Sequence, residues 1–222
     1  MLQTIHTSAL RRHVHGEAYA AVVLSGCYEE AGDLGRLRVQ SGDVVLHEAF
    51  EAHLDLFPAP GVTVLNVSLP MHCSFQPGLG SVDDPDAIVR MAEQDEVEAA
   101  SLLLSQAKIR EPELQDWPDE LALALIRDPS LRLSHWSIAK GIAPWTLSRG
   151  FFQIFNVSPS VFRARARTRQ AHKAIRLTSK PLASIAAHCG FADQSHMTRH
   201  VKNITGRCPG SWRRAANRFK TV

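Results

Sequence analysis

Four side chains toward the C-terminal end, Ser195, Thr198, Arg199 and Lys202, share one stripe of a helix turning about 100° per residue, opposite Met197, Val201 and Ile204. Short hydroxyl donors, an arginine one turn on and a lysine behind suit a helix entering a DNA major groove. There an arginine can fork onto a guanine edge and a lysine can neutralise a phosphate. A different chemistry is available near the other end. His13 and His15 are spaced i, i+2, which on a strand turns both imidazoles to one face. Imidazoles grouped in this way suit zinc, iron, nickel or copper. The four cysteines, Cys27, Cys73, Cys189 and Cys208, are scattered without a C-x-x-C pair, which indicates neither a disulfide framework nor a zinc finger. No nucleophile is supplied with a base.

The basic stripe needs two helices and a tight turn to hold it. Pro181 opens a helix in which Leu182, Ile185 and Ala186 recur at helical spacing, and Gly190 ends it, because glycine alone takes a left-handed conformation without steric cost. Phe191 plugs the corner. Asp193 is placed as N-cap of the second helix, Gly206 closes that helix, and Pro209 opens another. Helix, glycine turn, helix is the geometry of a helix-turn-helix.

About fifty residues earlier the same pattern occurs. Gly141 precedes Gly190 by 49 positions, and from the second helix on the offset is 50: Leu147 answers Met197, Arg149 answers Arg199, Phe151 answers Val201 and Ile154 answers Ile204. Asn156 stands where Gly206 does, and asparagine is the other residue that tolerates the left-handed cap. Pro159 answers Pro209. A repeat that keeps core, cap and basic positions together implies two helix-turn-helix units, over about residues 134–156 and 181–205. Ser158-Pro159 caps a connecting helix over about 159–178, whose apolar positions change face midway, from Phe162 and Ala166 to Ala171, Ala174 and Ile175. Arg165, Arg169, Lys173 and Arg176 line up on it as a basic stripe, either phosphate contacts or a solvated face.

Residues 118–222 resemble the DNA-binding domain of the AraC/XylS family of transcription regulators. The resemblance rests on Ile185-Ala186, Gly190-Phe191, Asp193-Gln194-Ser195-His196, Arg199, Lys202, Gly206 and Pro209. In the first unit it rests on Leu147-Ser148-Arg149, Phe151 and Ser158-Pro159, followed by Phe162, Arg167 and Ala171. It implies that Trp145, Thr146, Ser148 and Arg149 in the first unit, and Gln194, Ser195, Thr198 and Arg199 in the second, face the bases of successive major grooves about 34 Å apart. Arg199 either reads a base or anchors a phosphate. Lys202 is expected on the backbone, adding affinity without sequence choice. Phe152 takes the equivalent place in the first unit, where it meets a thymine methyl or rests against the connecting helix. RNA polymerase and a second copy of the chain are further partners that the resemblance implies.

Residues 1–80 read as short strands punctuated by glycine: Tyr19 to Leu24 stopped by Ser25-Gly26, then Gly32, Gly35, Ser41-Gly42-Asp43 with Val44 to Leu46, and Val62 to Leu69. The arrangement resembles a cupin barrel over roughly residues 10 to 70, with a Leu24-Ser25-Gly26 corner and a Gly42-Asp43 turn opening the second motif. That resemblance adds His53 to His13 and His15 as ligands for a divalent metal. The acidic ligand of the pattern falls on Tyr19 or Ala20, and its Pro and Gly are Glu48 and Phe50; Glu17, His47 and Glu51 are substitutes. The other readings are a sensor pocket for an organic effector and histidines that simply stabilise the fold. A cupin metalloenzyme tethered to a DNA-binding domain is the alternative class.

Residues 81–117 are expected as a helical linker. Its turn-rich start at Gly78 to Asp86 is followed by a helix over Asp86 to Ala107 whose apolar stripe packs on the barrel or on a second copy. The fold class is thus an all-β, cupin-like barrel, a linker helix and an all-α domain with two helix-turn-helix units joined by a long helix. Charge divides the same way. Residues 118–222 hold 18 Lys+Arg and 4 Asp+Glu, whereas residues 1–117 hold 7 and 18. A basic half joined to an acidic one is the footprint of a polyanion-binding module that carries a separate partner domain. With no apolar run near about 20 residues and no signal-peptide start, a cytoplasmic, non-enzymatic regulator is expected.

Overall fold

A computed structural model describes residues 1–59, 61–70 and 73–218, so residues 219–222 of the expected DNA-binding domain lie outside the described residues. The chain divides into two compact units, Met1–Asp119 and Glu120–Val222. The strands are β1 (Leu2–Ile5), β2 (Ala9–Val14), β3 (Tyr19–Ser25), β4 (Cys27–Gly32), β5 (Gly35–Gln40), β6 (Asp43–His47), β7 (Ala52–Leu56), β8 (Val62–Ser68), β9 (Gly78–Ser81) and β10 (Lys108–Ile109). They form two antiparallel sheets, one in the order β1-β8-β3-β6-β9-β10 and one in the order β2-β7-β4-β5.

The larger sheet is buried on both faces. Alternate residues of β3, β6 and β8 (Ala20, Val22; Val44, Leu46; Leu65, Val67) pack against Ile88, Ala99, Ala100 and Leu103. These belong to helices α1 (Pro85–Ala92) and α2 (Glu96–Gln106). The intervening Val23, Val45 and Val64 meet Tyr28, Leu37 and Val39 of the smaller sheet. Two covered faces explain why Tyr19 to Leu24 reads as an almost unbroken apolar run, since neither side of the pleat faces water.

The stretch 81–117 differs from the single helical linker expected of it. The helix expected over Asp86 to Ala107 is interrupted at Glu93–Asp95, because the Asp95 carboxylate accepts from the backbone N–H of Val97 and Glu98 and starts α2 afresh. β10 pairs with β9 beyond it. The N-terminal unit therefore runs on through Asp119. Near its end the buried guanidinium of Arg36, on β5, donates to Asp116 at 2.7 Å and to Asp119 at 2.9 Å.

The other unit is helical. α3 (Trp117–Arg127) leads into α4 (Leu133–Ala139), α5 (Pro144–Phe155), α6 (Pro159–Leu177), α7 (Leu182–His188), α8 (Gln194–Thr205) and α9 (Pro209–Arg218). The duplicated punctuation is present in the backbone. Gly141 and Gly190 sit at φ of 64° and 74° in the two turns, and Asn156 and Gly206 at 52° and 71° end α5 and α8. α6 has 19 residues, about 28 Å of helix. Phe162 and Ala166 are buried toward its start, Ala171, His172 and Ile175 further on. Phe162 packs edge-on against Phe151 and Phe155, and His172 packs against Trp212 of α9, whose indole N–H donates to Thr205 of α8 at 2.8 Å. Each part of the rod thus holds a different helix-turn-helix. No helix among the described residues is long and apolar enough to cross a membrane.

Candidate functional site

α5 and α8 are built alike. Each begins where a turn has reversed the chain, and each buries one stripe: Leu147, Phe151 and Phe155 in α5, Met197, Val201 and Thr205 in α8. Asp193 caps α8 by accepting from the His196 N–H at 2.6 Å. Phe191 is buried against the rings of His196 and His200, which fixes the angle at which α8 leaves the turn. Arg167 of α6 donates to the carbonyl of Gly190 at 3.0 Å and to that of Pro129 at 3.0 Å, tying the rod to the second turn.

The opposite stripes face solvent. Trp145, Ser148 and Arg149 are exposed on α5 with Thr146 half-buried, and Gln194, Ser195, Arg199 and Lys202 are exposed on α8 with Thr198 half-buried. Phe152 is 52% exposed, so it does not rest in the body of the unit. The stripe on α6 is less open than its spacing implies. Arg165, Arg169 and Arg176 are half-buried and only Lys173 is exposed, because this helix is a shared core and its long side chains lie along packed surface.

In the all-β unit the same two-residue alternation that fills the space between the sheets makes one part of it polar. Tyr28 of β4 is in the inter-sheet core, and Glu30 two residues on is 1% exposed. His13 of β2 pairs with His53 of β7, and Tyr19 of β3 pairs with His47 of β6. The rings of His13 and His53 are 4.3 Å apart, those of His15 and His53 5.4 Å, and those of His47 and His53 4.9 Å. Gly32 makes this approach feasible, since a Cβ there would lie 2.6 Å from the Cβ of His53 and 2.8 Å from the Ala52 carbonyl.

His13, His15 and His53 are thereby brought together, with one ring nitrogen each within 4.8 Å of the others. Bonds of about 2.0–2.1 Å to a central ion would draw these nitrogens closer together than that span. Two rings already have the orientation that a metal needs. His53 Nδ1 is 2.9 Å from Asp55, and His13 Nδ1 is 2.8 Å from the Arg11 carbonyl, which leaves each Nε2 turned away from its anchor. His15 is held neutral, its pKa lowered from 6.5 to about 4 by burial and by the neighbouring imidazoles of His53, His13 and His47. The residues fit a metal. Tyr19 places its hydroxyl 3.0 Å from His53 Nε2.

Behind this triad lies a charged network. Glu30 is 3.4 Å from His47 and 3.5 Å from His53, and Glu51 holds the other side of His47 at 3.1 Å. Burial alone would lower the pKa of both histidines. The charge of Glu30 and the hydrogen bonds to the neighbouring carboxylates together outweigh it, so His47 rises to about 10 and His53 rises as well. Burial would raise Glu30, yet His47 and His53 bring it down to about 2. Glu30 and Asp55 escaped the sequence reading, although each alternates with an inward-facing neighbour, Tyr28 and His53, which was the available signal. Glu17, named above as a substitute ligand, is exposed. Glu30, His53 and Asp55 form a second group of metal-ligating type, all three buried.

Residues 136–215 match the family model of a helix-turn-helix domain. No curated protein matches the chain. Among solved structures it is similar to a probable AraC family transcriptional regulator from Rhodopseudomonas palustris (20% identical, covering 43% of this chain and 93% of that one, TM-score 0.40). It is similar to ToxT from Vibrio cholerae (9% identical, covering 96% of this chain and 97% of that one, TM-score 0.45). It is also similar to the DNA-binding domain of AdpA, a global transcriptional factor, in complex with a target DNA (17% identical, covering 46% of this chain and 93% of that one, TM-score 0.43).

Proposed function

We propose, from the match of residues 136–215 to a helix-turn-helix domain, that the chain is a sequence-specific transcription regulator of the AraC type in which α5 and α8 enter two adjacent major grooves. One observation carries this. The second helix of each turn-matched pair leaves a stripe with an exposed arginine open to solvent, on a segment with a large excess of positive charge. Trp145, Thr146, Ser148, Arg149, Gln194, Ser195, Thr198 and Arg199 then face base edges, and Lys202 faces a phosphate. The sequence-independent share of binding comes from cations on phosphates and the choice of sequence from contacts to base edges.

Arg149→Ala and Lys202→Ala separate these roles. Arg149→Ala is expected to weaken binding to a selected duplex by about 1–3 kcal/mol and to relax preference at one or two base pairs. Lys202→Ala should weaken specific and random duplexes alike and lower the salt slope by about one unit. Fluorescence anisotropy titrations on both duplexes over a range of salt make the comparison. Equal losses on both duplexes for Arg149→Ala would remove its base-reading role.

The same reading gives the N-terminal unit the part of a sensor, and the orientation of His13 and His53 favours a divalent metal as what it senses. His13, His15 and His53 would hold the ion by their ring nitrogens, and Asp55 would orient His53. Calorimetric titration with zinc and with nickel is expected to show one ion per chain, lost in the His13→Ala/His53→Ala double variant. Absence of stoichiometric binding in the unaltered chain would point to an organic effector or a dimerisation module. Turnover of a small molecule by the chain would bring back the tethered-enzyme reading.

A further inference from the structure

We infer that the first helix-turn-helix selects its half of the DNA site by the C5-methyl groups of pyrimidines, read by Phe152 together with Trp145. The inference rests on the DNA-binding reading above and says what one half of that site recognises.

Trp145 and Phe152 are 69% and 52% exposed on α5. They are seven residues apart, so at about 100° per residue they lie within about 20° of each other around the helix. Ser148 and Arg149 fall between them on the same face, and both are exposed. The packed stripe of Leu147, Phe151 and Phe155 lies elsewhere on the helix, so neither aromatic ring is a stray member of the core. A single exposed apolar side chain asks for no explanation. Here two aromatic rings flank an arginine on the face that the repeat assigns to the groove.

The other copy of the motif supplies an internal comparison. The residues answering Trp145 and Phe152 are Ser195 and Lys202, both exposed on α8. A hydroxyl and an ammonium can be satisfied by phosphates and polar base edges. A phenyl ring has no such use in a groove, and an indole has one N–H donor on a mainly apolar face; the apolar group displayed there to meet both is a methyl on C5 of a pyrimidine. That methyl comes from thymine or from 5-methylcytosine, which place it at the same position on the ring. The two copies of one motif thus present different chemistries, one apolar with a single arginine and one polar and cationic.

The test begins with duplexes selected from a random pool by the full chain. Their affinities are then compared for three versions: all thymine, thymine replaced by deoxyuridine in one half-site at a time, and 5-methylcytosine in place of cytosine. Removing one read methyl is expected to cost about fourfold, the worth of one buried methylene-sized group. The cost should be confined to one half-site. In Phe152→Lys, which copies the residue of the second unit, that cost should shrink toward none while the salt slope rises by about one unit. If deoxyuridine costs nothing but 5-methylcytosine strengthens binding in that half, the methyl source is the modified cytosine and the inference stands. It is overturned if neither change alters affinity. It is equally overturned if Phe152→Lys responds to deoxyuridine as the unaltered chain does, which would leave Phe152 for a protein partner. A pool from which no duplex is enriched would instead sink the DNA-binding reading itself.

Discussion

Replacing Phe151 with alanine should cost the helical unit about 3–5 kcal/mol, whereas the same change at its neighbour Phe152 should stay within about 0.5 kcal/mol. Phe151 is fully buried, with its ring 4.5 Å from that of Phe155 and 5.3 Å from that of Phe162. These rings join α5 to the start of α6, so the cavity left behind opens at the junction of the first helix-turn-helix and the rod. A domain of this size has only about 5–15 kcal/mol to lose, and each kcal/mol is worth roughly 4 °C or more in Tm. Thermal melts of the full chain, followed by the helical circular dichroism signal, give both values. Melting of Phe151→Ala within a degree or two of the unaltered chain would show that the three rings are not the core of that unit. The expected functional outcomes run the other way: Phe152→Ala keeps its fold and loses discrimination in one half-site.

The contrast between these two neighbours shows where the sequence was legible. Phe151 answers Val201 in the repeat, and the helical period alone puts it inside. In the helical unit nearly every boundary is written locally, by Gly141, Gly190, Asn156, Gly206, Ser158 and Asp193, because caps and left-handed turns depend on residues a few positions apart. The all-β unit hides more. Alternation tells which face of a strand a residue takes but not which strand lies opposite. Glu30, His47 and His53 come together only through the pairing of β4 with β7 and the stacking of one sheet on the other. β10 is two residues long and carries no periodic signal, so its closure of the sheet was illegible. The same holds for Arg36, whose partners Asp116 and Asp119 lie some 80 residues away.

Glu30→Gln is the second large effect, and it reads out through pH. In the metal-free chain Glu30 lies between His47 and His53, and all three are nearly inaccessible to water. Taking one partner from a buried pair costs about 3–5 kcal/mol because it strands the opposite charge. Glu51 and Asp55 remain beside the two histidines, so the lower end of that range is expected near neutral pH.

The signs of the linkage follow from the two shifts. Glu30 is lowered from 4.5 to about 2, so the stability it contributes is present above pH 4.5 and is lost as pH falls toward 2. His47 is raised from 6.5 to about 10, so its contribution is full below pH 6.5 and drains away as pH climbs toward 10. Both shifts describe one interaction and count once. His15 and His172 are each lowered from 6.5 to about 4 by burial first of all, so the unfolded chain binds more protons in that interval and stability falls as pH drops through it. The unaltered chain should therefore be most stable near pH 6.5. Glu30→Gln should keep an acid limb, since His172 is far from the change in sequence and owes its shift to burial and Arg176. Its alkaline limb should flatten, because without the Glu30 carboxylate the His47 imidazolium loses its main attraction. Melting curves in chelator at intervals from pH 4 to pH 9 measure this and stay below the range where unfolded tyrosines ionise. A variant whose Tm falls between pH 7 and pH 9 as steeply as that of the unaltered chain would mean that Glu30 does not hold the His47 proton. The charged floor beneath the histidine triad would then need another source.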